Sequence, residues 1–187
     1  MDLIDLHRQA AATTGAIIDR VPGDLLDAPT PCAHWAVRDV IAHLVDNHRG
    51  LVARAGRSEI DSGGFAATAR VFNETFADPA VQDAPFELAG IPIDGRGVIA
   101  VQFADVLVHG WDIGRSAGLD VSIPDDLATA AMRITSGFPE NLRGPDGAFD
   151  HARTTPADAP AGVRLLAFLG RDPEWTGPRP ARSNSPN

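Results

Sequence analysis

Ala104-Asp105-Val106-Leu107-Val108-His109-Gly110-Trp111-Asp112 sets a carboxylate and an imidazole four residues apart inside a run otherwise apolar enough to be buried. Read as a helix, the run brings Asp105 and His109 onto one face, one turn apart, where they can share a divalent metal or a hydrogen bond. The helix predicted around it starts at Gly97 or Val98, continues to Ala117 and stops at Gly118, where glycine can close a helix in the left-handed conformation. Apart from a narrow polar row of Gln102, Asp105, His109, Asp112 and Ser116, this helix is apolar nearly all round. Such a helix belongs inside a bundle, and a charge on it needs a partner or a metal.

A third ligand must come from another helix. Residues 36–55 supply one, with Val37, Val40, Ile41, Leu44, His48 and Leu51 as a continuous stripe. His43 is the candidate ligand, yet it lies on the flank of that stripe beside Ala36, Asn47 and Gly50, while His48 falls nearer the middle. Periodicity therefore makes His48 the more buried imidazole and does not by itself select His43.

Further helices are predicted over residues 2–20, with a weak centre at Thr13-Thr14-Gly15, over 65–76, from Pro124-Asp125 onward, and over 163–169 up to Gly170. Pro29 and Pro31 make residues 22–34 a loop, and Asp61-Ser62-Gly63-Gly64 reads as a turn and candidate mobile loop. Over residues 77–97, Phe86-Glu87-Leu88 and Ile91-Pro92-Ile93 resemble short extended pieces, but Pro79, Pro85 and Pro92 favour a meandering connection over a sheet. Residues 137–160 read as loop with one short strand. The expected class is all-α: a four-helix bundle with additional short helices and long irregular connections. A single domain is expected over residues 1–175, with a disordered tail over 176–187.

Composition narrows the partners. The chain has 187 residues, 44% of them hydrophobic, and 25 acidic against 16 basic residues give a formal charge of -9. That balance argues against nucleic acid or an anionic membrane as the main partner. The lone cysteine, Cys32, excludes an intrachain disulfide and a cysteine-only zinc site and suits a reducing compartment. No segment reaches the length of a membrane span, so a cytoplasmic protein is expected.

Two antiparallel helices carrying His43, Asp105 and His109 would hold a divalent ion with coordination positions left for water or substrate. Gln102, Asn47, Asp39 and Asp112 are the residues available to orient those ligands. The plainer reading is a modest acid–histidine pair on a helix, worth roughly 0.2–0.5 kcal/mol when exposed. Trp35 and Trp111 read as packing anchors, with Trp111 near enough to His109 to line a pocket wall. The sequence shows neither a phosphate-binding loop, a dinucleotide fingerprint nor a nucleophile elbow.

Three pieces of the chain resemble the actinobacterial branch of the DinB-like metalloproteins, the small proteins related to the metal-binding domain of mycothiol-dependent maleylpyruvate isomerase. They are Pro29-Thr30-Pro31-Cys32-Ala33-His34-Trp35 with Val37-Arg38-Asp39-Val40-Ile41-Ala42-His43-Leu44, then Asp105 to Asp112, and finally Leu165-Leu166-Ala167-Phe168-Leu169-Gly170-Arg171-Asp172-Pro173. The resemblance implies a DinB-like four-helix bundle with zinc or nickel near one end, held by His43, Asp105 and His109. It thereby selects His43 over His48 as the ligand. The isomerase has glutamate at the carboxylate position, so Asp105 reaches one methylene less far. The chain is also too short to carry the isomerase's second, sterol-carrier-like domain, so maleylpyruvate isomerisation itself is not expected.

What the resemblance implies for activity is a metal-dependent transferase or isomerase that uses mycothiol or a related small thiol on an electrophilic small molecule. His48 and Asp112 are the candidate catalytic residues, Arg38 and Arg115 the candidate contacts to the thiol cofactor, and a homodimer is the expected assembly. The alternatives are a thiol-independent metal hydrolase and a non-catalytic, metal-stabilised ligand-binding or stress-response protein.

Overall fold

The computed structural model describes residues 2–32, 34–57, 63–88, 90–140, 143–144 and 149–177. Their elements are α1 (Leu3–Ile18), α2 (Val37–Arg54), α3 (Phe65–Phe76), a single turn α4 (Pro79–Gln82), strands β1 (Pro85–Leu88) and β2 (Ile91–Asp94), α5 (Gly95–Ser116), α6 (Asp125–Thr135) and α7 (Ala161–Phe168). The mainly helical, DinB-like expectation holds. Of the predicted loops, Asp61 and Ser62 and parts of 137–160 lie outside the described residues, as does the tail from 178 onward.

α5 is the helix against which the site is built. The Asp94 carboxylate accepts the Gly97 N–H at 2.8 Å and so caps its first turn. Gly118, at φ +69°, closes its far end as the sequence predicts. α1 runs parallel to α5: Ile4 shares a cluster with Val98 and Ile99, while Thr14 meets Val106 and Gly110. α2 runs antiparallel, with Leu51 and Val52 in the same cluster as Val98 and Ile99, and His43 opposite Asp105.

The Thr13-Thr14-Gly15 stretch does not weaken α1, because tertiary contacts use it. Thr14 Oγ1 donates to the Val106 carbonyl at 2.9 Å, and a Cβ on Gly110 would collide with that same hydroxyl. One turn on, a Cβ on Gly114 would come within 2.8 Å of Val121. Glycine at 110 is thus the condition for the close approach of α1 to α5.

The segment expected to meander is instead a hairpin, and its register explains the prolines. β1 and β2 pair antiparallel with Glu87 opposite Pro92 and Pro85 opposite Asp94. Gly95 donates to the Ala84 carbonyl at 3.1 Å, which makes that pair hydrogen-bonded. By alternation, the Pro92 and Pro85 positions are non-hydrogen-bonded, where a missing N–H costs nothing. Phe86, Leu88 and Ile93 then close the cluster formed by Val71, Phe72 and Phe76 of α3. α6 packs on α5, and α7 on α6. Among the described residues no helix is long and apolar enough to cross a membrane.

Candidate metal centre

The pairing of α2 with α5 converts the separate sequence positions of His43, Asp105 and His109 into one cluster. Their ligand atoms all lie within 4.8 Å of one another. Asp105 Oδ2 is 3.3 Å from His43 Nε2, and Asp105 Oδ1 is 3.4 Å from His109 Nε2. Bonds of 2.0–2.2 Å to a tetrahedral ion place neighbouring ligand atoms roughly 3.3–3.6 Å apart. Both imidazole–carboxylate distances, each to its own Asp105 oxygen, lie in that range, and with all three ligand atoms within 4.8 Å the donor set fits a divalent ion.

The three groups differ in exposure, which gives the site a direction. His43 and Asp105 side chains are 29% and 20% exposed, whereas His109 is 8% exposed. The cluster opens on its His43 side and is closed behind His109. Trp35 forms a wall, its ring edge-on to His43 at 4.7 Å and stacked on His109 at 5.9 Å. Thr30 fixes that tryptophan by a local knot: its N–H and hydroxyl both donate to the Trp35 carbonyl, at 3.1 and 2.9 Å. His34, between them in sequence, adopts φ +70°, a left-handed conformation uncommon for a residue with a side chain.

Behind the cluster, His109 Nδ1 donates to Asp112 Oδ2 at 2.9 Å, which leaves Nε2 as the atom facing Asp105. Asp112 is fully buried. Arg171, just past α7, donates from Nη2 to Asp112 Oδ2 at 3.0 Å and from Nε to Oδ1 at 3.4 Å. Its Nη1 donates to the Leu169 carbonyl at 3.2 Å. Burial opposes ionisation of Asp112, but Arg171 and His109 outweigh it and hold the carboxyl below its ordinary range. Asp105 is likewise resisted by burial and held low by His109 and His43. Burial also opposes the charged form of His109, yet Asp105 and Asp112 push that imidazole up to about 9.

Asn47 lies against the His43–Asp105 side of the cluster. Its amide nitrogen lies 3.1 Å from His43 Nε2 and 3.3 Å from Asp105 Oδ2.

The other sequence candidates go to different places. Asp112 joins the cluster through His109. His48 is fully buried and lies 3.2 Å from His7 instead. Arg38 is an exposed partner of Asp27. Arg115 donates twice to the Trp175 carbonyl, at 3.0 and 2.7 Å. Cys32 is half-buried; burial raises its thiol pKa while Arg171 lowers it. Sequence reasoning missed Arg171 as a site residue. Its signals were its place in the Leu165–Pro173 stretch that carries the resemblance and its position directly after the helix-stopping Gly170.

A mainly helical bundle with a His–Asp–His cluster between two antiparallel helices is DinB-like in architecture. A family model described as the mycothiol maleylpyruvate isomerase N-terminal domain matches residues 7–89. Two uncharacterized proteins of Mycobacterium tuberculosis, one from each of two strains, are 32% identical to the chain over 182 residues, covering 91% of it and 98% of their own length. The chain belongs to this mycothiol maleylpyruvate isomerase N-terminal domain family. The family model contains His43 and ends before Asp105, whereas the mycobacterial alignments, at 91% of this chain, necessarily pass through Asp105 and His109. No solved structure matches the chain.

Proposed function

We propose that His43, Asp105 and His109 hold one zinc or nickel ion, and that the protein is a transferase or isomerase joining a small thiol, of which mycothiol is the type, to an electrophilic small molecule. The observation that carries this reading is the convergence of three ligand atoms within 4.8 Å at the open end of a buried helix pair. Two imidazoles and one carboxylate suit zinc or nickel better than calcium or magnesium, which prefer all-oxygen sites. The family description, which names mycothiol, supports the choice of thiol.

When bound, the ion supplies Lewis acidity that favours a thiolate or draws charge from a carbonyl oxygen. The chain's own residues do the rest. Asp112 keeps the His109 proton on Nδ1 and so presents Nε2 as a ligand. Trp35 shields one side of the cluster from water. The Asn47 amide, beside His43 and Asp105, would be a hydrogen-bond donor to the ligand carboxylate or to substrate. Asp112, being fully buried, acts through His109 and does not reach substrate.

The test is thiol consumption by the metal-loaded protein across a panel of electrophiles, with and without mycothiol. Turnover that requires the thiol and disappears in His43→Ala and His109→Ala supports the reading. Turnover independent of thiol assigns a hydrolase, and bound metal without turnover assigns a binding protein.

A further inference from the structure

Behind the ligand cluster, Asp112 and Arg171 form a buried pair of opposite charges, the carboxylate with no exposure and the arginine with 8%. They meet twice, at 3.0 Å from Nη2 to Oδ2 and 3.4 Å from Nε to Oδ1. The same carboxylate lies 2.9 Å from His109 Nδ1, so a single imidazole ring separates it from the Nε2 atom that faces Asp105. Arg171 acts electrostatically on Asp105 as well as on Asp112.

Orienting a ligand histidine does not require this arginine. A backbone carbonyl would accept the Nδ1 hydrogen and fix the ring without bringing a buried ion pair, whose desolvation its own attraction only partly repays. What the arginine adds is charge. With a dication in the cluster, His43 and His109 are neutral, because each offers a lone pair as ligand. Asp105 and Asp112 bring two negative charges and Arg171 one positive charge, which leaves the loaded centre with one net positive charge. Cys32, on which Arg171 also acts, stays a neutral thiol because burial pushes its pKa up. Without Arg171 the loaded centre would be neutral, and without the Asp112 charge it would be doubly positive. Burial of Asp112, Arg171 and His109 keeps solvent and salt from screening these differences as they would at a surface.

We propose that Arg171 is a positioning residue that acts by charge: by cancelling Asp112 it keeps the metal-loaded centre at one net positive charge, so that the position left open by His43, Asp105 and His109 takes a monoanion in preference to a neutral ligand. The inference rests on the metal reading of that cluster. Thiolates and carboxylates are monoanions of this kind; alcohols, amines and carbonyl compounds are not. Arg171 does not itself touch the ligand, since Nε and Nη2 donate to Asp112 and Nη1 donates to the Leu169 carbonyl.

The test uses the full-length protein loaded with nickel, uptake being read by elemental analysis before any ligand is added. Visible difference spectra then give the affinities for 2-mercaptoethanol, acetate and neutral imidazole, and the two monoanions show whether the wild type favours thiolate or carboxylate. A buried unit charge about 10 Å away changes an ionic affinity roughly tenfold. In Arg171→Met the affinity for either monoanion relative to imidazole should therefore fall roughly tenfold, and in Asp112→Asn it should rise by at least about as much. The double variant should return close to the wild-type ratio, and Arg171→Lys should keep it. Asp112→Asn carries the test by itself where Arg171→Met does not fold. Equal changes for monoanions and imidazole in every variant, or a double variant that keeps the Arg171→Met ratio, would overturn the proposal. A wild type that takes up no nickel would refute the metal reading and this inference together, whereas full nickel uptake with a ratio indifferent to the charge changes would refute this inference alone.

Discussion

Arg171 and Asp112 form a two-pronged ion pair, at 3.0 and 3.4 Å, and the same carboxylate accepts the Nδ1 hydrogen of His109 at 2.9 Å. Through this chain the segment after α7, 59 residues away in sequence, sets the direction in which a candidate ligand on α5 points.

Asp112→Asn is expected to weaken divalent-metal affinity about 10–100-fold while leaving the helical content unchanged, because it replaces the charged acceptor that fixes the His109 ring with a neutral amide. Competition titration against a chromogenic chelator measures this directly. Unchanged affinity would mean that His109 needs no such orientation.

Arg171→Met leaves the fully buried Asp112 carboxylate with protonated His109 as its one remaining cation and is expected to cost up to about 3–5 kcal/mol in urea denaturation of the metal-free protein. The double change with Asp112→Asn should recover much of that loss. Equal loss in the single and double variants would show that the arginine acts by packing alone.

Protonation couples to metal binding in a definite sense. His109, raised to about 9 in the metal-free protein, is protonated at neutral pH and must give up that proton to serve as a ligand. Affinity should therefore rise with pH up to about 9 and then level off. Calorimetry in buffers of differing ionisation enthalpy should show proton release on binding near neutrality. No release would place the His109 proton elsewhere.

Acid also weakens the folded state through the buried His7–His48 pair. His7 and His48 are lowered from 6.5 to about 4 and about 3, so below pH 6.5 the unfolded chain binds protons that the folded chain refuses. Stability of the metal-free protein should fall as pH drops from 6.5 toward 4, by at most about 1.4 kcal/mol per pH unit for each imidazole. His109 contributes conversely: its stabilisation is present below 6.5 and is lost as pH rises through about 9. Urea titrations across this range, repeated on His7→Gln, should show a shallower acid slope in the variant.

Gly110→Ala drives a methyl group into Thr14 across the α1–α5 contact and is expected to destabilise by about 1–3 kcal/mol. Thr14→Ala in the same chain should relieve part of the cost. Thermal melts of the two single variants and the pair provide the comparison.

The bundle was legible because its signals are local. Apolar spacing gave α3 its observed bounds, and Gly118 and Gly170 ended α5 and α7 where a left-handed residue is needed, at φ +69° and +82°. The hairpin was not legible, because the effect of Pro85 and Pro92 depends on ladder register, which local sequence does not reveal. The stripe on α2 correctly marked His48 as buried but could not say that α5 would face the flank bearing His43. Arg171 stands in a stretch that carries the resemblance, but its pairing was not legible for a related reason: its burial is set by a carboxylate 59 positions earlier, and no spacing rule connects them.

The proposed metal site predicts that one divalent ion binds at His43, Asp105 and His109. Equilibrium dialysis of the purified, chelator-stripped protein against zinc and against nickel, read by elemental analysis, tests it most directly. Close to one ion per chain is expected for the wild type, with its loss in His43→Ala and His109→Ala and circular dichroism unchanged. Failure of the wild type to bind either ion, or full binding by a variant lacking both histidines, would contradict it.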